Sequence, residues 1–273
     1  MTANAEMIEY WNGPVGERWA RLQETIDASL SEIQKAVMTF ADPRPRERVL
    51  DIGCGAGTTT YALAKAVGKE GSVTGVDISE PMLAVARGRG IGVNFRKADA
   101  ATHLFHPTHD LVFSRFGVMF FDDPPRAFAN IKKAIKPHGR LAFVCWRDVK
   151  ENLWASLPMG AARDLVPPQP PADPLAPGPY AFASADRLRD IFARAGYREL
   201  LIEPLDTVMN LGATLDDAAE QVLNIGPLAR AATGLDDSMR DKIRTAVKSA
   251  LAPHQTGAGV TPPAACWLVR AIP

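Results

Sequence analysis

The chain has 273 residues, 47% of them hydrophobic, and its 31 Lys and Arg balance 31 Asp and Glu; this suits one α/β domain with insertions and argues against a nucleic-acid partner or a charged tail. Its three cysteines, Cys54, Cys145 and Cys266, lie far apart without CxxC spacing, which speaks against a disulfide framework or a zinc site and for a reducing compartment. There is no apolar run of about 18 residues to span a membrane, and the first residues, with Glu6 and Glu9, lack the basic and apolar regions of a signal peptide. A cytoplasmic chain is expected, with monomer or homodimer left open.

Residues 1 to about 15 carry Tyr10, Trp11 and the turn pair Gly13-Pro14. Trp19, Leu22, Ile26, Leu30, Ile33 and Val37 then recur at steps of three and four, which predicts one amphipathic helix that Asp42-Pro43-Arg44-Pro45 stops. From Val49 the pattern alternates. Val49 to Ile52 reads as a strand, and Thr58 to Val67 as a helix closed by Gly68. Ser72 to Val76 reads as a strand. A helix follows, capped by Ser79, with Pro81 in its first turn and Gly90 at its end. Further strands are expected at Val93 to Arg96, Leu111 to Ser114 and Leu141 to Trp146, with a helix over Asp123 to Ile135 that Pro137-His138-Gly139 stops. Strands alternating with helices predict a parallel, doubly wound sheet.

Residues 150–183, dense in proline from Pro167 to Pro179, interrupt this rhythm and read as an ordered excursion over the sheet edge. Ser184 to Ala195 is then a helix ended by Gly196. A strand lies within Leu200 to Met209, helices at Leu215 to Ile225 and Asp237 to Leu251, and a last strand at Ala265 to Ile272.

The strongest motif is Val49-Leu50-Asp51-Ile52-Gly53-Cys54-Gly55-Ala56-Gly57-Thr58, an apolar strand running through Gly-x-Gly-x-Gly into a helix. Glycines let the backbone turn tightly and let a ligand approach it, and a helix start offers free N–H groups to an anionic group. Asp77 ends the next strand, 20 residues after Gly57, at the spacing where an acid meets ribose hydroxyls. The dinucleotide fingerprint Gly-x-Gly-x-x-Gly is not met: the third glycine stands one residue early, at Gly57, and Thr58 occupies the later place. A nicotinamide-dependent oxidoreductase is therefore the weaker alternative.

The stretch from Val49 to Trp146 resembles the cofactor-binding core of class I methyltransferases that use S-adenosylmethionine (SAM), in the ubiquinone/menaquinone-biosynthesis-like branch. The matching pieces are VLDIGCGAG, GVDISEPML, KADA, HDLVFSRFGVMFF and KPHGRLAFVCW, and the opening YWNGPVGERW is similar to small-molecule members of that branch. The resemblance implies a Rossmann-like, doubly wound sheet, mostly parallel with an antiparallel last strand, in one domain over 1–273. It also implies an N-terminal helical lid at 1–40 and lid or pocket insertions at 150–183 and 211–258. Asp51, Gly53, Cys54, Gly55 and Gly57 would wrap the methionine end of SAM. Asp77 would hold the ribose beside Ile78 and Met82, and Asp99 and Ala100 would meet the adenine. Ser114 would face the cofactor and Arg115 the methyl-transfer side. Tyr10, Trp11 and Trp19 would cover the cofactor or substrate, where an aromatic face attracts a sulfonium.

Cys54 otherwise reads as small loop filler, and Phe116, Phe120 and Phe121 as core. His103, His106 and His109 read as solvated loop residues rather than metal ligands. Methyl transfer mainly requires holding the nucleophile in line and excluding water. No dyad announces a general base, so no catalytic residue is assigned. The expected partner is a small molecule of unresolved acceptor atom, and a non-catalytic SAM-binding protein is the other alternative.

Overall fold

A computed structural model of the chain describes residues 4–90, 92–169 and 173–273; the first three residues of the expected lid, and Pro170 and Pro171 of the proline-rich stretch, lie outside them. The N-terminal segment contains four helices: α1 (Ala5–Asn12), α2 (Pro14–Arg21), α3 (Gln23–Ser29) and α4 (Ser31–Ala41). The single helix expected from Trp19 to Val37 is thus broken at Leu22 and Leu30. Both residues leave helical geometry (ψ 11° and 8°), while the buried stripe continues through Ile26, Leu30, Ile33 and Val37. Periodicity reports which face is buried and is blind to a bend that keeps that face inward.

A seven-stranded sheet follows the expected alternation. Its strands are β1 (Arg48–Ile52), β2 (Ser72–Asp77), β3 (Asn94–Lys97), β4 (His109–Arg115), β5 (Ile135–Trp146), β6 (Glu199–Val208) and the last strand, β9 (Pro263–Ile272). They lie in the order β3-β2-β1-β4-β5-β9-β6. Pairings from β3 to β5 are parallel. β9 runs antiparallel between β5 and β6, as the expected fold class requires. A short antiparallel pair, β7 (Gln255–Thr256) with β8 (Gly259–Val260), was not anticipated.

Helices α5 (Thr58–Val67), α6 (Glu80–Gly88) and α7 (Pro124–Lys132) connect the strands. Ser79 caps α6 by accepting from the Met82 N–H, but that helix ends at Gly88 rather than at Gly90. Helix α7 also stops earlier than expected. Pro137 to Gly139 do not terminate a helix; they lie in the first half of β5, where its register against β4 shifts between His109 and Leu111. That shift accommodates residues that carry turn signals in isolation. His109 accordingly opens β4 instead of lying in a loop, and burial lowers its pKa.

Within 150–183, α8 (Leu153–Ala161) forms next to the strand ends; α9 (Ala185–Arg194) then starts at its Ser184 cap. The C-terminal insertion holds α10 (Leu215–Asn224), α11 (Pro227–Ala231) and α12 (Asp237–Leu251). Residues alternate between the two faces of a strand. Phe143 of β5 packs with Phe128 of α7, Phe192 of α9 and Phe182. Arg270 of β9, on the opposite face from the Phe143 row, lies over the Phe40 ring of α4. α7 and α9 therefore cover one face and α4 the other. Among the described residues no helix is long and apolar enough to cross a membrane.

Candidate functional site

The parallel strands β1, β2 and β4 end together, which is where open α/β sheets hold ligands. Gly53, Gly55 and Gly57 all adopt positive φ, at 65°, 53° and 85°, a region that costs little only without a Cβ. The loop packs against the turn after β4: a Cβ on Gly53 would come within 2.6 Å of the Gly117 Cα. Gly117 had no motif to mark it in the sequence. Cys54 is buried, with its Sγ 2.9 Å from where a Cβ on Gly75 would stand, and burial pushes its thiol pKa up. It is free, as are Cys145 and Cys266, and it fills the loop as expected.

Asp51 is fully buried on β1. Its Oδ2 accepts from the hydroxyls of Thr59 and Thr60, each at 2.7 Å, and its Oδ1 has no partner. Burial raises its pKa from 3.8 to about 6, against the pull of those two hydroxyls and of Arg115. Asp77 binds the loop directly. Its Oδ2 accepts from the Gly55 N–H and its Oδ1 from the Ser79 N–H, both at 2.8 Å. Burial raises this pKa also, opposed by those N–H groups. Each carboxylate oxygen has a second acceptor site to offer a ligand.

Ile78 is half-buried beside Asp77, and Met82 sets its terminal methyl against Gly55, 3.0 Å from where a Cβ would be. Past β3, Asp99 turns its own loop by accepting from the Ala101 N–H at 2.9 Å. Ala100 is buried, with its carbonyl bonded to Asn130. Asp51, Asp77 and the glycines are thus brought together, with Asp99 at the end of the neighbouring strand.

The structure gives Ser114 and Arg115 hydrogen-bond partners that the sequence did not suggest. The Ser114 hydroxyl is buried, donates to the Ile52 carbonyl at 2.7 Å and accepts from the Gly117 N–H. It braces β4 against β1. The Arg115 guanidinium donates to Asp27 of α3 and Gln34 of α4, both at 2.8 Å. Asp27 also accepts from the hydroxyl of Thr58, at the start of α5, and lies 3.6 Å from Arg89. Arg115 therefore ties the N-terminal helices to the end of β4, and Asp27 ties them to the start of α5 after the glycine loop. Asp27 carried no sequence signal of its own, because one acid on a helix reads as a solvated face.

The N-terminal segment crosses the strand ends. Asn4 donates through its side chain to Asp99 at 2.8 Å and through its backbone N–H to Asp122 at 2.6 Å, while its Oδ1 accepts from the Asp122 N–H. Asn12 donates to the Ile78 carbonyl and accepts from the Glu80 N–H. The Ser79 hydroxyl donates to the Trp11 carbonyl at 2.7 Å. Trp11 meets Tyr10, Trp19 and Phe120 edge to face, each with centroids 5.4 Å apart. The sequence suggested the aromatics but not the asparagines.

The two later insertions reach the same end of the sheet. Trp154 of α8 packs on Trp146 at the end of β5, which stacks on Phe116 at 4.2 Å. Phe116 holds a positive φ of 64°, rare for an aromatic residue and a mark of functional turns. Gln221 of α10 donates to Ser29 of α3 at 2.6 Å. An open groove of about 540 Å³ lies elsewhere, between α4, β6 and β9, and is lined by Glu32, Lys35 and Glu203 among others. No group of three or more His, Cys, Asp or Glu among the described residues is placed to hold a metal ion.

Residues 49–139 match the family model described as "Methyltransferase domain". The chain is 30% identical over 182 residues to the nocamycin O-methyltransferase of Saccharothrix syringae, covering 62% of this chain and 65% of that protein. It is 35% identical over 115 residues to the ubiquinone/menaquinone biosynthesis C-methyltransferase of Teredinibacter turnerae, covering 40% and 46%. The chain thus spans less than two thirds of the length of either relative. Haemonchus contortus phosphoethanolamine N-methyltransferase 2, solved with phosphomonomethylethanolamine and S-adenosylhomocysteine, has the same fold: TM-score 0.54 at 20% identity, over 89% of this chain and 52% of that one.

Proposed function

We propose that this chain, whose residues 49–139 match the methyltransferase domain model, is a class I SAM-dependent methyltransferase that transfers the methyl group of SAM to a small-molecule acceptor. The observation that carries the reading is the junction of Asp77 with the positive-φ glycine loop at the ends of β1 and β2. A half-buried carboxylate with acceptor capacity to spare, beside a backbone free of Cβ atoms, suits a ribose diol and the chain attached to it. The residues fit SAM in another respect. The buried, partnerless Asp51 Oδ1 calls for a donor, and SAM carries an ammonium group.

SAM supplies a methyl group already activated by its sulfonium. In this reading the glycine loop and Asp51 hold the methionine end, Asp77 the ribose and Asp99 the adenine amino group. Residues 1–40 form a lid in which Tyr10, Trp11 and Trp19 exclude water, and the insertions at 150–183 and 211–258 shape the acceptor pocket. The likeness to the C-methyltransferase of quinone biosynthesis favours that branch, and the likeness to nocamycin O-methyltransferase favours a hydroxyl acceptor on a small molecule. Three buried free thiols suit a reducing, cytoplasmic setting.

Calorimetry with SAM, S-adenosylhomocysteine and NAD+ tests the cofactor, and a methyl-transfer assay over a panel of phenols, enols and amines tests the reaction. SAM is expected to bind and NAD+ not to. Binding of NAD+ alone would refute the reading, and SAM binding without transfer to any acceptor would leave a SAM-binding protein.

A further inference from the structure

Asp51 is not the only buried acceptor near the site that lacks a donor. Gln23, the first residue of α3, has a buried Oε1 with no hydrogen-bond partner. It stands one helical turn before Asp27, on the same side of the helix. That side is turned towards the cofactor end of the sheet, because Asp27 itself bonds Thr58 at the start of α5 and Arg115 at the end of β4. Arg115 is in turn close enough to Asp51 to act on its charge. In the other direction, Trp19 lies four residues before Gln23, on α2 across the bend at Leu22, in the aromatic cluster with Trp11 and Phe120. Along the chain Gln23 therefore stands between Trp19 of the aromatic cover and Asp27, which bonds the start of α5.

A buried acceptor left without a donor is costly, and two in one region point to a single group rich in donors. A primary ammonium has three and no acceptor. Resting on the SAM reading above, we infer that Gln23 binds the cofactor, its side-chain carbonyl accepting from the ammonium group of the amino-acid end. Closure of α3 over the loop is then tied to the amino-acid half of the ligand rather than to its adenosine half.

The probes are S-adenosylhomocysteine, which carries the ammonium, and 5′-methylthioadenosine, which has the adenosine and thioether but no amino-acid end. Affinities are measured by calorimetry for the wild type, Gln23→Met, which keeps the length but has no acceptor, and Gln23→Glu, which keeps one. Gln23→Met is expected to weaken S-adenosylhomocysteine by about ten- to a hundredfold, the loss of one hydrogen bond to a charged group. Gln23→Glu should bind it within about threefold of wild type. Methylthioadenosine should bind all three proteins alike, which also reports that the variants are folded. Unchanged S-adenosylhomocysteine affinity in Gln23→Met overturns the inference, as does an equal loss of both ligands. If the wild type binds neither ligand, the SAM reading itself fails.

Discussion

Asp51 offers a test in which burial, charge and ligand chemistry meet. Without a ligand, its carboxyl is held in the fold with a pKa of about 6 against an ordinary 3.8. An acid whose folded pKa is raised contributes stability below its unfolded pKa. That contribution is lost as pH rises from 3.8 to about 6. At about 1.36 kcal/mol per pH unit, the rise corresponds to about 3 kcal/mol, and the group is fully buried, so solvent screening does not discount it. Asp51→Asn cannot ionise. Urea unfolding of the ligand-free proteins at pH 4, 5, 6 and 7 should show the variant gaining about 2–3 kcal/mol relative to wild type across that range. The difference between the two proteins isolates Asp51 from other carboxylates. Wild-type affinity for S-adenosylhomocysteine should also fall below pH 6, because an ammonium is received by the ionised carboxylate. In Asp51→Asn it should be weaker and flat. Parallel stability profiles for the two proteins would refute the assignment of a strained buried charge.

Asp77→Ala removes the acceptor of two backbone N–H groups as well as the proposed ribose contact; it should lower ligand-free stability by about 1–3 kcal/mol per orphaned N–H in chemical denaturation. By calorimetry it should weaken SAM by roughly 30- to 1,000-fold. Asp27→Leu strands the largely buried Arg115 guanidinium and should cost about 3 kcal/mol or more, while adding Arg115→Met should recover most of the loss, as a double-mutant cycle would show. Asn4→Ala cuts the side-chain links to Asp99 and to the Asp122 N–H. Its retained backbone N–H leaves a partial hold, so amide exchange over α1 should speed up and SAM affinity fall by about tenfold. Deleting residues 1–15 should leave the sheet folded, by circular dichroism and melting, and remove most SAM binding. Normal SAM binding by that truncated protein would dismiss the lid.

The order of strands and helices from Val49 to Trp146, the glycine loop and the acid at Asp77 were legible in the sequence because each is a local rule. Alternation, helix caps and a tight glycine turn are decided by neighbours a few residues apart. Local signals also misled where a longer-range pairing overrode them. Pro137 to Gly139 read as a stop, but pairing with β4 draws them into β5 with a register shift. One apolar stripe read as one helix, but the chain bends twice to follow the sheet. What only the tertiary structure decided is how separated side chains share their charges and hydrogen bonds. Arg115 is held by Asp27, 88 residues away in the chain. Ser114 braces two strands through the Ile52 carbonyl. Asn4 spans 95 residues to reach Asp99, and the open valences of Asp51 and Gln23 exist only because burial removes the water that would otherwise satisfy them. Periodicity along a chain specifies which faces are buried; which polar atoms are left unpaired there depends on the packing of elements far apart in sequence.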